Sequence, residues 1–446
     1  MRFLLFVSIL ASFAASDASA ESALPHTRFQ LDNGLRVVLH VDDTVPLVAV
    51  NLNYDVGSAD EVKGRTGFAH LFEHLMFMGT RRVPQGKFDS WMEGAGGWNN
   101  AWTSEDRTDY YDVGPRELLE TLLWMEADRM EALGGSVDET KLGLQRDVVR
   151  NERRQRTENT PYGLVYITLP ELLYPAGHPY AHPVIGSHED LQAASVDDVR
   201  AFFATWYAPS NASLVVAGDF DPAVAEGWVR RYFGGIANSA EANEAKRAEA
   251  TFGPAVASRT EVEDRVKSPR VIFVSRSAPH LTDQDAALDV AATVLSEGKA
   301  SRLYRALVHE QKLAVDVYAG QWSGRLESSF AVWATAREGV EVAQLETALA
   351  AELSRLVETG PVDDELNRAK AGIAHAFARR LDGVAGRASL MNGYMSEKDT
   401  ADWLAQDRAR YDRATPESVR AAVAEALDPA HRVTLIVVPK PEGGAR

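Results

Sequence analysis

Alternating apolar and polar positions give the first clear pattern in the chain. Phe29 to Val41 reads as two alternating runs around Asn33-Gly34, a dipeptide that favours a tight hairpin turn. Val45 to Tyr54 predicts a second strand region, followed by a loop and then a helix over Gly67 to Gly79. In that helix Phe68, Leu71, Phe72 and Leu75 recur at the i, i+3, i+4, i+7 spacing that lines one face against a core. Thr108 to Val113 predicts another strand, and Arg116 to Leu133 a helix. Asp138 to Arg156 predicts a helix with Val148 and Val149 on its inner side. Val196 to Trp206 predicts a helix and Ser213 to Gly218 a buried strand.

The order then recurs. Arg270 to Ser275 reads as a strand, Thr282 to Glu297 as a helix, and Gln344 to Glu358 and Glu365 to Arg380 as two more helices. Val199-Arg-Ala precedes Ser213-Leu-Val-Val by about the interval at which Val419-Arg-Ala precedes Thr434-Leu-Ile-Val. This suggests a duplicated α+β unit of about 200 residues. Between the copies, Ala237 to Thr251 is small and polar without strand pattern, and reads as a linker or a solvated helix. The expected organisation is residues 1–20 as a signal peptide, 21–236 as a first domain, 237–255 as the linker and 256–446 as a second, homologous domain. Each domain would be a mostly antiparallel sheet packed with helices.

Composition narrows the class. At 446 residues the chain exceeds one ordinary core. Its formal net charge of −17 argues against a nucleic-acid partner, which needs a basic face. Arg2, a short apolar run and Ala18-Ser-Ala20 form a secretory signal with cleavage after Ala20; the run is too short to span a bilayer comfortably. The expected location is the periplasm, with secretion beyond it as the alternative. There is no cysteine, so any zinc must be held by histidine and carboxylate.

Candidate chemistry sits on the helix at Gly67. His70, Glu73 and His74 read H-x-x-E-H, the zinc-peptidase motif in reverse order. They lie opposite the Phe68/Leu71 stripe and beside Met76 and Phe77, so both faces of the helix are apolar. Ionisable groups in such surroundings need a partner, and a metal ion supplies one. A catalytic zinc site needs a third protein ligand from another element. The segment Gln145 to Gln155 offers Glu152, with Asp147 and Glu158 as competitors. His178 and His182 flank Pro179, which argues against a shared helical face, and His188 follows a Gly-Ser turn.

With these motifs the chain resembles the pitrilysin/insulinase family of zinc peptidases over almost its whole length. The family carries H-x-x-E-H and a glutamate ligand roughly 75–80 residues later; Glu152 follows His74 by 78 residues (152 − 74). Asn99 to Ser104, Thr108 to Tyr111, Trp206 to Ala212, Val215 to Asp219 and Ala300 to Tyr304 match further family segments. The resemblance implies zinc held by His70, His74 and Glu152, with Glu73 as general base. It also implies that Asn100, Ala101 and Trp102 hold substrate backbone as an added strand.

Two departures matter. Gln145 stands where the family often has a glutamate seven residues before the ligand, so the groups behind the metal carry less negative charge. Val308 and Val315 stand where active members carry an arginine and a tyrosine in the second domain, and valine cannot donate to an oxyanion. Family members enclose substrate between two such pairs of domains. The expectation is therefore a zinc endopeptidase or oligopeptidase subunit forming half of a clamshell. A related non-catalytic partner would supply arginine and tyrosine; a homodimer is the alternative. A non-cleaving peptide-binding or structural subunit is the rival from another class, and a hydrolase of non-peptide substrates a third reading.

Overall fold

In the computed structural model the described residues are 24–250, 253 and 255–441. The expected signal peptide and its cleavage site lie outside them. The first half contains β1 (Thr27–Gln30), β2 (Arg36–Val41) and β3 (Leu47–Tyr54), then α1 (Phe68–Leu75) and α2 (Lys87–Gly94). β4 (Trp98–Thr103) and β5 (Thr108–Pro115) lead to α3 (Leu119–Ala132), α4 (Glu139–Arg153), α5 (Leu164–Leu173), α6 (His188–Ala193) and α7 (Val196–Trp206). β6 (Ala212–Gly218), α8 (Pro222–Phe233) and α9 (Ala240–Glu244) follow. The second half runs β7 (Ser258–Asp264), β8 (Arg270–Ser277), α10 (Asp283–Ser296), β9 (Ala314–Trp322) and β10 (Ser328–Ala336). It ends with α11 (Val342–Thr359), α12 (Asp363–Leu381), α13 (Val384–Lys398), α14 (Leu404–Arg413), α15 (Pro416–Ala426) and β11 (Val433–Pro439).

The fold is α+β, and the two sheets repeat one plan. The first has the order β1-β2-β6-β3-β5-β4, the second β7-β11-β8-β10-β9. In each, one parallel pair (β2 with β6, β7 with β11) is followed only by antiparallel neighbours. The helix before the last strand, α7 or α15, occupies the same place in both. The short shared pattern in the sequence therefore marks a repeated topology.

Period-2 alternation explains how both faces of each sheet are buried. Val37, Leu39, Val50, Leu214 and Val216 face one core, while Val38, Ala49, Val215 and Ala217 face another. The second layer on that other face comes from the opposite half. α13 lays Val384, Ala388, Met391 and Met395 across the first sheet, and Asn392 donates to the carbonyls of Asn51 and Ser213, each at 3.0 Å. Reciprocally, α5 packs Val165, Leu169 and Leu173 on Ile272, Val274, Val433 and Leu435 of the second sheet. The halves thus exchange a helix.

Some expectations need correction. Val149 is buried, but Val148 is exposed, because one residue on a helix turns the side chain by about 100°. α4 ends at Arg153 and continues as a wider turn over Arg154–Glu158, and residues 116–118 are a 3₁₀ turn ahead of α3. The polar stretch after residue 236 contains α9 and is fastened down: the Ala248 N–H donates to Asp60 at 2.7 Å, and Arg247 donates to the Asp106 carbonyl.

Candidate metal centre

The candidate site begins with the capping of α1. Gly67 enters the helix at φ 87°, and buried Glu61 accepts the N–H groups of Gly67 and Ala69, each at 2.8 Å. Burial drives the Glu61 carboxyl well above its ordinary range, and these donors oppose that rise. Gly186 crosses directly over this start: a Cβ there would come within 2.4 Å of the Gly67 Cα. Only glycine allows the loop carrying Val184 and Ile185 to approach so closely.

With Phe68, Leu71, Phe72 and Leu75 buried, His70, Glu73 and His74 project into a cleft between α1, α4 and β4. Glu152 arrives from α4, whose inner face is set by Leu142 and Val149. One nitrogen of each histidine and one oxygen of Glu152 lie within 4.8 Å of one another. The Glu152 Oε2 is 3.2 Å from His74 Nε2 and 3.8 Å from His70 Nε2, and the two imidazoles stand at 90°. Ligand atoms around a tetrahedral zinc are about 3.3 Å apart, so this donor set is of the right size and kind. Burial, with His74 second, pushes His70 down to about 4, leaving the neutral imidazole that metals require. Hydrogen bonding from His74 holds Glu152 below the usual carboxylate range despite partial burial. His70 Nε2 stands 3.8 Å from the Glu152 carboxylate, beyond hydrogen-bond distance, so the protein itself does not saturate the cluster.

Glu73 is not drawn into that trio. Its Oε2 accepts from the Thr103 hydroxyl at 2.5 Å, and burial raises its pKa while this hydrogen bond lowers it. The competing carboxylates are elsewhere: Asp147 is exposed, and Glu158 is taken by Arg153 at 3.0 Å and His188 at 2.9 Å. His182 lies 3.7 Å from Glu61, and buried His178 stacks on Tyr174.

β4 is the edge of its sheet and carries the expected backbone-binding residues beside the cluster. Asn100 is exposed, and its Oδ1 accepts the Ala101 N–H at 2.9 Å; Arg107 lies over the Trp102 ring at 4.9 Å. The cleft of about 540 Å³ holds His70, Glu73, His74, Glu152 and Asn100 through Thr103. A second recess of about 490 Å³ shares Glu73, His74 and Asn100, and adds Asp89, Glu93, Trp98 and Gln145. Gln145 donates to the Met78 sulfur at 2.7 Å rather than to a ligand carboxylate.

Three contacts escaped the sequence reading. Thr103 shares the alternation of β4 with Ala101, and Arg156, 2.7 Å from Glu152 Oε1, is its i+4 neighbour; both signals were present. Glu61 reaches α1 through a loop and leaves no periodic trace.

Comparison with known proteins adds the family. The insulinase model (peptidase family M16) matches residues 36–166, and the model of the M16 inactive domain matches residues 193–373. The chain is 28% identical over 436 residues to the zinc protease PqqE of Helicobacter pylori, covering 94% of this chain and 95% of that one. A crystal structure of a protease from Helicobacter pylori aligns with a TM-score of 0.84 at 26% identity, over 93% of this chain and all of that one. The structure of a peptidase M16 inactive domain from Pseudomonas fluorescens gives 0.83 at 18% identity, covering 94% and 99% of the two chains. The periplasmic protease PqqL of Escherichia coli gives 0.74 at 20%, with 93% of this chain covering 48% of that one. The repeated sheets, the helix bearing H-x-x-E-H and the two matched models place the chain in the pitrilysin/insulinase (M16) peptidase family.

Proposed function

We propose that this chain is the catalytic subunit of a zinc-dependent endopeptidase or oligopeptidase. The observation that carries the proposal is the convergence of His70, His74 and Glu152, with Glu73 held apart, beside the open edge of β4. Bound by those three residues, zinc would lower the pKa of a water molecule toward neutrality and polarise the scissile carbonyl. Glu73, free of the ligand set, would accept a proton from the attacking water and pass it to the leaving amine. Thr103 fixes the Glu73 carboxylate, and Arg156 pairs with the second Glu152 oxygen at 2.7 Å. Asn100, Ala101 and Trp102 hold the peptide as an added strand, a substrate carbonyl replacing the Asn100 oxygen at the Ala101 N–H. The test is Glu73→Gln. Cleavage of a quenched peptide should fall at least about a hundredfold while zinc content stays unchanged. Substantial remaining hydrolysis would sink the assignment.

A related partner chain lacking the motif is the second part of the proposal. It is supported by the half-length coverage of the Escherichia coli protein, and by the absence of donors at Val308, which packs on the second core, and at exposed Val315. The partner would supply the arginine and tyrosine that stabilise the oxyanion. The chain purified alone should be weakly active and recover on adding the partner; full activity alone would favour a self-sufficient chain or a homodimer. Among the described residues no helix is long and apolar enough to cross a membrane, and periplasmic export fits the N-terminal pattern.

The rival, a non-cleaving binding subunit, draws support from the inactive-domain match. That match begins at residue 193, downstream of all four motif residues. A metal assay paired with the same peptide digest separates the two readings.

A further inference from the structure

A separate cavity, of about 370 Å³, lies in the seam between the two halves. α5 and the loop after it contribute Tyr166, Leu173, Tyr174 and Tyr180, β9 contributes Trp322, and the loop after β9 contributes Glu327. Glu105 enters from the loop just beyond β4. The backbone of that loop is pinned, because the Glu105 carbonyl accepts the Ala59 N–H at 2.9 Å and Gly57 packs so closely that a Cβ would stand 2.3 Å from the same oxygen.

Its carboxylate is the unusual feature. Glu105 is exposed toward the cavity; lost solvation raises its pKa, and a hydrogen bond from its own backbone N–H lowers it. It forms no salt bridge and no hydrogen bond to another side chain among the described residues. The neighbouring acids are already matched: Glu327 pairs with Arg276 at 3.2 Å, and Asp106 with Arg325 at 3.5 Å and the Tyr180 hydroxyl at 2.7 Å. The Glu105 carboxyl, with no side-chain partner among the described residues, therefore faces an aromatic chamber in which the Tyr166 and Trp322 rings stand 6.2 Å apart. Aromatic faces and a carboxylate together are the recognition chemistry of an organic cation.

We infer that this cavity binds an ammonium or guanidinium group, with Glu105 as its counter-ion and Tyr166 and Trp322 as its walls. Glu105 is two residues beyond Thr103, which is about 7 Å of extended chain. A peptide paired along β4 would therefore bring a basic side chain or its own α-amino group to the cavity. This last step rests on the peptidase reading; the cation site does not.

Agmatine, which carries both groups, tests the site without any turnover, using calorimetry on the full chain with citrulline amide as the neutral control. Agmatine should bind the wild type and Glu73→Gln alike, and citrulline amide should not compete. Glu105→Gln, which keeps the side-chain shape, and Trp322→Ala should each weaken binding at least tenfold, with the melting temperature confirming the fold. Unchanged binding in Glu105→Gln, or none in the wild type, overturns the inference whatever the protease activity. A second arm compares peptides carrying arginine or citrulline. A drop in kcat/KM with citrulline, abolished by Glu105→Gln, identifies the source as substrate; no drop identifies a free small cation.

Discussion

The two halves build the same cleft and fill it differently. In the first, α1, β4 and α4 enclose His70, Glu73, His74 and Glu152; in the second, α10, β9 and α12 enclose Asp289, Thr293, Ser296, Gln321 and Arg380. Most polar groups of the second cleft settle on neighbours: Gln321 donates to Asp285 at 3.2 Å, and Thr293 and Ser296 donate to the carbonyls of Asp289 and Ala292 at 3.0 and 3.3 Å. Tyr411 donates to Asp289 at 2.8 Å, and Asp285 receives Arg410 at 3.0 Å and Ser323 at 2.7 Å. The first does not: His70 Nε2 stands 3.8 Å from Glu152, and two imidazoles face one carboxylate. The scaffold is therefore indifferent to chemistry. A cleft becomes a reactive site when its polar groups are left wanting a ligand, and becomes structural when they satisfy one another.

Breaking each cleft in turn sharpens this contrast. The largest effect should follow His74→Ala, which should reduce peptide cleavage to background, whereas Asp289→Ala should leave turnover within roughly twofold, because that group touches no reacting atom. Next come the packing residues beneath each cleft. Leu71→Ala and Leu288→Ala remove fully buried side chains from α1 and α10, and each should cost about 2–5 kcal/mol by denaturant unfolding. Zinc affinity, by competition with a chelating dye, should fall only for Leu71→Ala. If both variants lose zinc equally, the clefts are not separable. Gly186→Ala should cost about 1–3 kcal/mol, since its φ of 70° and the Gly67 backbone both exclude a Cβ. A melting curve checks it.

The smallest effect concerns pH. Burial, with Asp285 second, pushes the Asp289 carboxyl from its ordinary 3.8 up to about 7. The folded chain thus holds this proton more tightly than the unfolded chain. The resulting stabilisation is complete below pH 4 and is lost as pH rises through 7. Between pH 5 and 8 the melting temperature should fall more steeply in the wild type than in Asp289→Asn.

Much of this was legible in local pattern. Asn33-Gly34 marked the first hairpin, and the Ser195/Asp198 capping box set the start of α7 where the periodicity put it. The Phe68 stripe fixed which way α1 faces, and therefore which residues could meet in the cleft. What local pattern could not show was partnership at long range. Nothing in the local pattern of α5 or α13 says that each covers the other half's sheet. The misjudged Val148 has a smaller cause: adjacent valines on a helix compete for one buried place, and Val149 takes it. Glu105 was invisible for a related reason, since its significance comes from Tyr166 and Trp322, far away in sequence.

On the proposed function, one cleft should bind metal and its twin should not. Measuring zinc per chain by native mass spectrometry after zinc loading and buffer exchange tests this directly. One zinc is expected in the wild type and in Asp289→Asn, and none in a His70→Ala/His74→Ala double variant. Two zinc ions per wild-type chain, or one retained by the double variant, would contradict it.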